Sequence, residues 1–236
     1  MPPPLGTRNS EFWLTLLAAE LGSLFAHADI CDGQLFHHIA PKPGEERQPT
    51  GECSTARLRM HTDGASHPLP PDLILIWCHR GRPHIRTAVA SVEAALAHLS
   101  PSEVELLGEC TFRHHLDYEF GLRNNLQTFG PHPIIMDEGA VVSARVDFDF
   151  LCSPDPSQRR ALEHLEAALE AAAAQVALQA GDLFVFDNRR TVHARDAFVP
   201  SFDGSDRWLQ CAYVRRDTTA IPSGVSIRHR VAYMSA

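Results

Sequence analysis

The chain is predicted to fold as a mainly β domain with flanking helices, a sandwich, barrel or jelly roll. Three observations point there. Short apolar or alternating stretches of strand length recur along the chain, turns rich in proline and glycine separate them, and only a few segments carry helical periodicity. With 236 residues and 44% hydrophobic composition the chain can bury a sizeable core, and a single domain over residues 1–236 is the expectation. A net charge of -8 provides no basic surplus to neutralise phosphates, which argues against nucleic acid as a partner. The six cysteines include no Cys-x-x-Cys pair, a usage that suits reduced thiols in a cytoplasm and speaks against a zinc ribbon. No apolar run approaches the roughly 18 residues of a membrane span, and the N-terminus lacks a basic segment followed by an apolar one, so no membrane association or export is expected.

In chain order, Ser10 to Phe25 places Leu14, Leu17, Ala18, Leu21 and Leu24 at helical spacing, with Ser10 as N-cap and Glu11 in the first turn. Asp29 to Thr55 lacks periodicity and reads as extended loop, either a connector or the border of a pocket. Leu58 to Asp63 reads as a strand, and Leu73 to Cys78 as a strand buried on both faces. Ile85 to Ala90 is the next predicted strand and Val92 to Leu99 a short helix. Ser100-Pro101-Ser102-Glu103 is a capping box with proline at the first helical position, predicting a helix to about Glu109. Periodicity fails from Thr111 to Gly139, so residues 111–140 are read as a candidate lid, or as an ordered excursion with small strands of its own.

Val141 to Phe150 alternates, with Val142, Ala144, Val146, Phe148 and Phe150 on one face and Ser143, Arg145, Asp147 and Asp149 on the other, the polar face being a solvated one in the simplest reading. Ser157 to Leu178 has the strongest helical pattern, an apolar stripe of Leu162, Leu165, Leu169, Ala172 and Val176 that Gly181 should terminate. Strands follow at Leu183 to Phe186, Thr191 to His193 and Arg207 to Arg215.

The stretch Leu58-Arg59-Met60-His61-Thr62-Asp63 holds the first chemical signal. On a strand, His61 and Asp63 project from one face while Thr62 points away, so an imidazole and a carboxylate converge. That pair supplies two ligands of a 2-His-1-carboxylate site, a weak signal alone in a chain with 14 histidines. Far along the chain, Gly181-Asp182-Leu183-Phe184-Val185-Phe186-Asp187-Asn188 leads into Thr191-Val192-His193-Ala194-Arg195, and Arg207 precedes Trp208-Leu209-Gln210 on a strand where Arg207, Leu209, Cys211 and Tyr213 share a face.

In this combination, from about Phe36 to Asp217, the chain resembles the iron(II)/2-oxoglutarate oxygenases of the clavaminate synthase-like and taurine dioxygenase-like (TauD/TfdA) group. The resemblance implies a double-stranded β-helix, or jelly roll, with His61, Asp63 and His193 as iron(II) ligands and catalytic residues. It further implies that Arg207 binds the distal carboxylate of 2-oxoglutarate with help from Thr87, and that 2-oxoglutarate and O2 are consumed as a carbon of a small-molecule substrate is hydroxylated. A carboxylate at Asp63, rather than a small residue that leaves room for halide, favours hydroxylation over halogenation.

The chain departs from the group's pattern in three ways. Cys211 stands where amino-acid hydroxylases of the group carry a second arginine for the substrate's α-carboxylate, His37-His38-Ile39 stands where Gln-Asp-Ile is usual, and much of an N-terminal helical part is missing. A more open pocket, or one completed by another subunit of a homo-oligomer, would follow from the last. Asp147 and Asp149 match acidic residues that hold a basic substrate group in relatives, and His37 is a further candidate substrate contact. The expected function is hydroxylation of a natural-product intermediate or amino-acid derivative. The alternatives are a sulfonate- or carboxylate-degrading dioxygenase, with Arg113 or Arg123 of the lid holding the anion, and a metal-binding jelly roll without turnover.

Overall fold

The computed structural model describes residues 6–116, 128–139, 141–153, 155–222, 225–228 and 230–234. Helix α1, Arg8–Leu21, starts at Thr7 rather than Ser10. It ends at Gly22 (φ +155°), where a side chain would come within 2.3 Å of the Arg215 carbonyl oxygen, so only glycine fits. The chain turns there into β1, Ser23–His27, so Leu24 and Phe25 belong to a strand and not to the predicted helix. The expected loop 29–55 also contains regular structure, a 3-10 turn at Cys31–Gly33 and β2, Phe36–Ile39.

Strands β3 (Leu58–His61), β4 (Leu73–Arg80) and β5 (Thr87–Ser91) follow, then α2 (Val92–Leu96) and α3 (Pro101–Leu107). The capping box forms as predicted: the Ser100 hydroxyl accepts the Glu103 N–H while the Glu103 carboxylate accepts the Ser100 N–H. Within the expected lid, β6 (Phe112–His115), β7 (Thr128–His132) and β8 (Ile135–Asp137) are strands, and 117–127 and 140 lie outside the described residues.

Of the strand predicted over 141–150, only β9, Val142–Ala144, is one, and it pairs with β8; β10 is Leu151–Cys152. The predicted helix 157–178 divides. Helix α4, Pro156–Ala172, is capped by the Asp155 carboxylate and gives way to β11, Ala174–Val176, which lies along the open edge of β5. Ladder pairing outweighs helix propensity there, and Gly181 instead occupies the turn before β12. The remaining strands are β12 (Leu183–Asp187), β13 (Thr191–Arg195), β14 (Trp208–Arg215), β15 (Val225–Arg228) and β16 (Val231–Met234).

Two sheets make the jelly roll. The larger runs β12-β4-β14-β1-β16-β15, with β2 taking the edge of β14 beyond the end of β1; the smaller runs β11-β5-β13-β3. Strand alternation sorts the side chains. On the larger sheet Leu73, Leu75, Ala212 and Val214 face outward against Leu14 and Ala18 of α1, while Ile74, Ile76, Leu209, Cys211 and Tyr213 face inward with Phe186. On the smaller sheet Met60, Ala88, Ala90, Val192 and Ala194 face outward against Leu162, Leu165 and Leu169 of α4. That packing turns His61, Thr87 and His193 into the interior between the sheets.

Leu165 is fully buried in this outer layer. Leu165→Ala is expected to cost about 2–5 kcal/mol, read as a lower denaturant midpoint with an unchanged m-value.

Candidate functional site: an interior cluster of two histidines, a carboxylate and a buried arginine

His61 and His193 are direct Cα partners in the β3–β13 ladder, and their rings lie 4.1 Å apart. The His61 Nδ1 faces the Arg59 carbonyl at 2.8 Å, so it carries the hydrogen and leaves Nε2 as the ligand atom. Asp63 Oδ1 stands 3.5 Å from His61 Nε2 and 3.8 Å from His193 Nε2. One ligand atom from each of the three falls within 4.8 Å of the others, the one such group among the described residues. Two imidazoles and a carboxylate on one side of a point suit a divalent first-row metal with open positions opposite.

The electrostatics fit that purpose. Burial alone would raise the Asp63 carboxyl, but its bond to His61 and the nearby His193 outweigh burial and hold it down near 2. Burial would likewise lower His61, and the Asp63 bond and Asp147 charge instead raise it to about 9. Burial, reinforced by His61, pushes His193 down to about 3. In the metal-free protein His61 is thus the protonated partner of an ionised Asp63, its charge in the place where a cation would bind.

Beside this cluster Arg207 is buried and donates from Nη2 to the Thr87 hydroxyl at 2.9 Å. Burial and the Arg195 charge lower the guanidinium only to about 10, so it remains cationic and can take a carboxylate. The cleft at Arg207 is also lined by Ile39, Cys53, Arg195 and Phe198. Arg195, for which the Val-His-x-Arg motif suggested no role, joins Cys53 to β13: Nη2 lies 2.9 Å from the Cys53 carbonyl and 2.7 Å from its thiol, and the guanidinium stacks 4.9 Å over Phe198.

His37 is buried on β2 opposite Cys211, its ring edge-on to Tyr213 at 4.7 Å. Burial lowers this imidazole, and the Asp63 charge acts against that, which places His37 near the carboxylate. Beyond β9 the chain runs along β3: Thr62 N–H donates to the Val146 carbonyl at 2.7 Å, and Asp147 forms a bridge with His61. The polar face expected to be solvated is therefore turned inward. The Arg145 guanidinium is held by the Ala65 and His67 carbonyls and lies 4.5 Å over Phe129. The Asp149 carboxylate accepts the Arg59 N–H at 3.1 Å. Asp147 remains the carboxyl near the cluster, raised to about 6 by burial against the lowering effect of His61. Arg113 donates to the Gly130 carbonyl on the exterior, and Arg123 lies outside the described residues.

Hydrogen-bond chemistry fixes the tautomers behind Asp147. His132 Nδ1 donates to the Pro133 carbonyl at 2.8 Å, so its Nε2 accepts from His114 Nδ1 at 2.8 Å, and His114 Nε2 in turn accepts the Asp147 N–H at 3.0 Å. The relay requires both rings to be neutral.

A family model described as Taurine catabolism dioxygenase TauD, TfdA family matches residues 26–213. Clavaminate synthase 2 of Streptomyces clavuligerus is 30% identical over 94% of this chain and 70% of its own length. The L-asparagine oxygenase of Streptomyces coelicolor is 34% identical over 86% of this chain and 61% of its own length. A crystal structure of asparagine oxygenase with Fe(II), 2S,3S-3-hydroxyasparagine and succinate superposes with a TM-score of 0.87 at 30% identity, covering 94% of this chain and 70% of that one. Among the described residues no helix is long and apolar enough to cross a membrane.

The histidine relay makes a pH prediction. Burial first, then repulsion from Arg145 and, for His114, from His132, pushes His114 down to about 2 and His132 from 6.5 to about 4. The folded chain thus binds fewer protons than the unfolded one, and the stability contributed is complete above about 6.5 and lost as pH falls toward about 4. The Tm is expected to fall across that window, and less steeply in a His114→Asn, His132→Asn double variant; superimposable Tm-pH profiles would contradict this.

Proposed function

The chain belongs to the TauD, TfdA family, and on that premise we propose that it is an iron(II)- and 2-oxoglutarate-dependent dioxygenase that hydroxylates a small amino-acid-derived substrate of natural-product metabolism. The observation that carries the reading is the meeting, on one interior face, of the His61, Asp63 and His193 ligand atoms with the buried Arg207–Thr87 pair.

In this reading His61 Nε2, His193 Nε2 and one Asp63 oxygen hold iron(II), and the His61 proton leaves as the metal enters. Arg207 takes the distal carboxylate of 2-oxoglutarate in a buried fork, with the Thr87 hydroxyl as a second donor. The bound iron supplies O2 activation coupled to conversion of 2-oxoglutarate to succinate and CO2. Around it the chain excludes water with the inward apolar residues of the larger sheet and orients the substrate. Asp147 receives a basic or amide group, and His37 lines the opposite wall. Asp149 is removed from direct contact by its bond to the Arg59 N–H.

The resemblance to amino-acid oxygenases favours an amino-acid derivative over a sulfonate. Among the described residues Arg145 is tied to the Ala65 and His67 carbonyls, Arg195 to Cys53, and Arg207 to Thr87, while a neutral thiol stands at Cys211. None of these three guanidiniums is left for a substrate anion, sulfonate and α-carboxylate alike.

The test is succinate release from 2-oxoglutarate in aerobic, iron-supplied protein across a panel of amino-acid derivatives and sulfonates. Stimulation by the former supports the reading, stimulation by sulfonates alone overturns the substrate class, and no succinate with any of them points to a binder. His61→Ala and His193→Ala are each expected to abolish turnover; an active variant contradicts the ligand assignment. Arg207→Ala is expected to raise the KM for 2-oxoglutarate by about 10- to 100-fold, the worth of a charged hydrogen bond. An unchanged KM would remove Arg207 from the cosubstrate site.

A further inference from the structure

Strand alternation accounts for the direction of His61 but not for that of Asp63. Strand β3 ends at His61, and Asp63 stands in the turn that follows, where no ladder holds its main chain. The backbone there is gripped instead by one side-chain amide. Asn188 Oδ1 accepts the Asp63 N–H at 2.8 Å, and Asn188 Nδ2 donates to the Asp63 carbonyl at 3.0 Å and to the Pro71 carbonyl at 3.0 Å. Asn188 is 2% exposed, so water does not compete for these bonds. The amide meets both polar groups of Asp63's main chain and closes the turn by holding Pro71 as well. That turn is tight: a Cβ on Gly64 (φ +68°) would lie 3.1 Å from the Pro71 ring.

Asn188 is itself firmly placed. Its N–H donates to the Asp72 carbonyl at 2.9 Å, the Thr191 hydroxyl donates to the Asp187 carbonyl at 2.7 Å, and the Arg216 guanidinium donates to the Asp187 carboxylate at 2.9 Å. The turn bearing Asn188 runs straight into β13, which carries His193. One short segment therefore delivers the second histidine and grips the backbone of the carboxylate.

We propose that Asn188 is the positioning residue that fixes Asp63 relative to His193 and so sets the affinity of the site for its divalent metal. This rests on the reading of His61, Asp63 and His193 as the ligand set. Asn188 touches neither metal nor substrate. Its removal leaves one N–H and two carbonyls unpaired in a buried turn, and the turn must relax to find new partners, carrying the carboxylate with it.

The test titrates the metal-free protein with Co(II) alone, following the visible absorption of the bound ion, beside a Tm measurement. Asn188→Ala is expected to bind Co(II) about 10- to 100-fold more weakly, with a changed ligand-field spectrum. Asn188→Asp, which keeps the acceptor for the Asp63 N–H but loses both donors, is expected to fall between. Ser10→Ala serves as the control for general destabilisation, since it removes the 2.6 Å bond to Gln210 on the α1 side of the larger sheet; it should lower Tm and leave the Co(II) affinity unchanged. Co(II) binding by Asn188→Ala within about twofold of the unsubstituted chain would overturn the proposal. Where Asn188→Ala does not fold, Asn188→Asp decides by the same titration. An unsubstituted chain that binds no Co(II) would instead overturn the ligand set, and this inference with it.

Discussion

In the β3–β13 ladder His61 and His193 are opposed residue to residue, and much else in the molecule serves that pairing. Two imidazoles separated by 132 positions in sequence can share an ion only if the ladder register is right, since a slip of one residue would send one ring to the outer face. The register is secured from outside the barrel. Met60, Val192 and Ala194, the immediate neighbours of the two histidines, are buried against α4, so exchanging the faces would withdraw apolar side chains from that layer and bury polar ones among leucines.

The interior then tolerates an unusual density of charge because nearly every charged group has a specific partner. Asp63 is bonded to His61, Arg207 to Thr87, Arg195 to Cys53, and Arg145 to two main-chain carbonyls. Buried charges without such partners would cost several kcal/mol each. Arg195 lies close enough to Arg207 to weaken its hold on its proton, a repulsion that an anion in the cleft would relieve. The same logic explains why Cys211 and His37 make a wall of different character: both are neutral there, since burial raises the thiol well above its ordinary value and lowers the imidazole.

Segment 145–149 shows how a loop acquires the precision of a strand. It follows β3 through the Thr62–Val146 bond and the His61–Asp147 bridge, and is braced from behind by the two neutral histidines of β6 and β7. Asp147 is carried on this braced main chain, close to His61 yet outside the ligand set.

How much of this could be read from the linear chain follows from the range of the interactions. Local chemistry was legible: the capping box at Ser100, the apolar run of β4, and the alternation that turns Leu209, Cys211 and Tyr213 to one face of the sheet. His-x-Asp, Val-His-x-Arg and Arg207 were legible together through the family they resemble, and their residue types suit a metal and a dicarboxylate. Ser157 to Leu178 misled because alanine favours helix wherever nothing else competes, whereas the open edge of β5 offers Ala174 to Val176 a ladder that no local signal announces. Val141 to Phe150 misled because alternation states only that two faces differ, not that the polar one meets solvent. Residue types and short spacings by themselves determined the β character of the fold, and together with the family resemblance they singled out His61, Asp63, His193 and Arg207 as candidates. Tertiary structure alone decided that Asp63 is gripped by Asn188 rather than by a ladder, that Arg195 closes on Cys53, and that Asp147 lies by His61, because each depends on pairing between segments far apart in sequence.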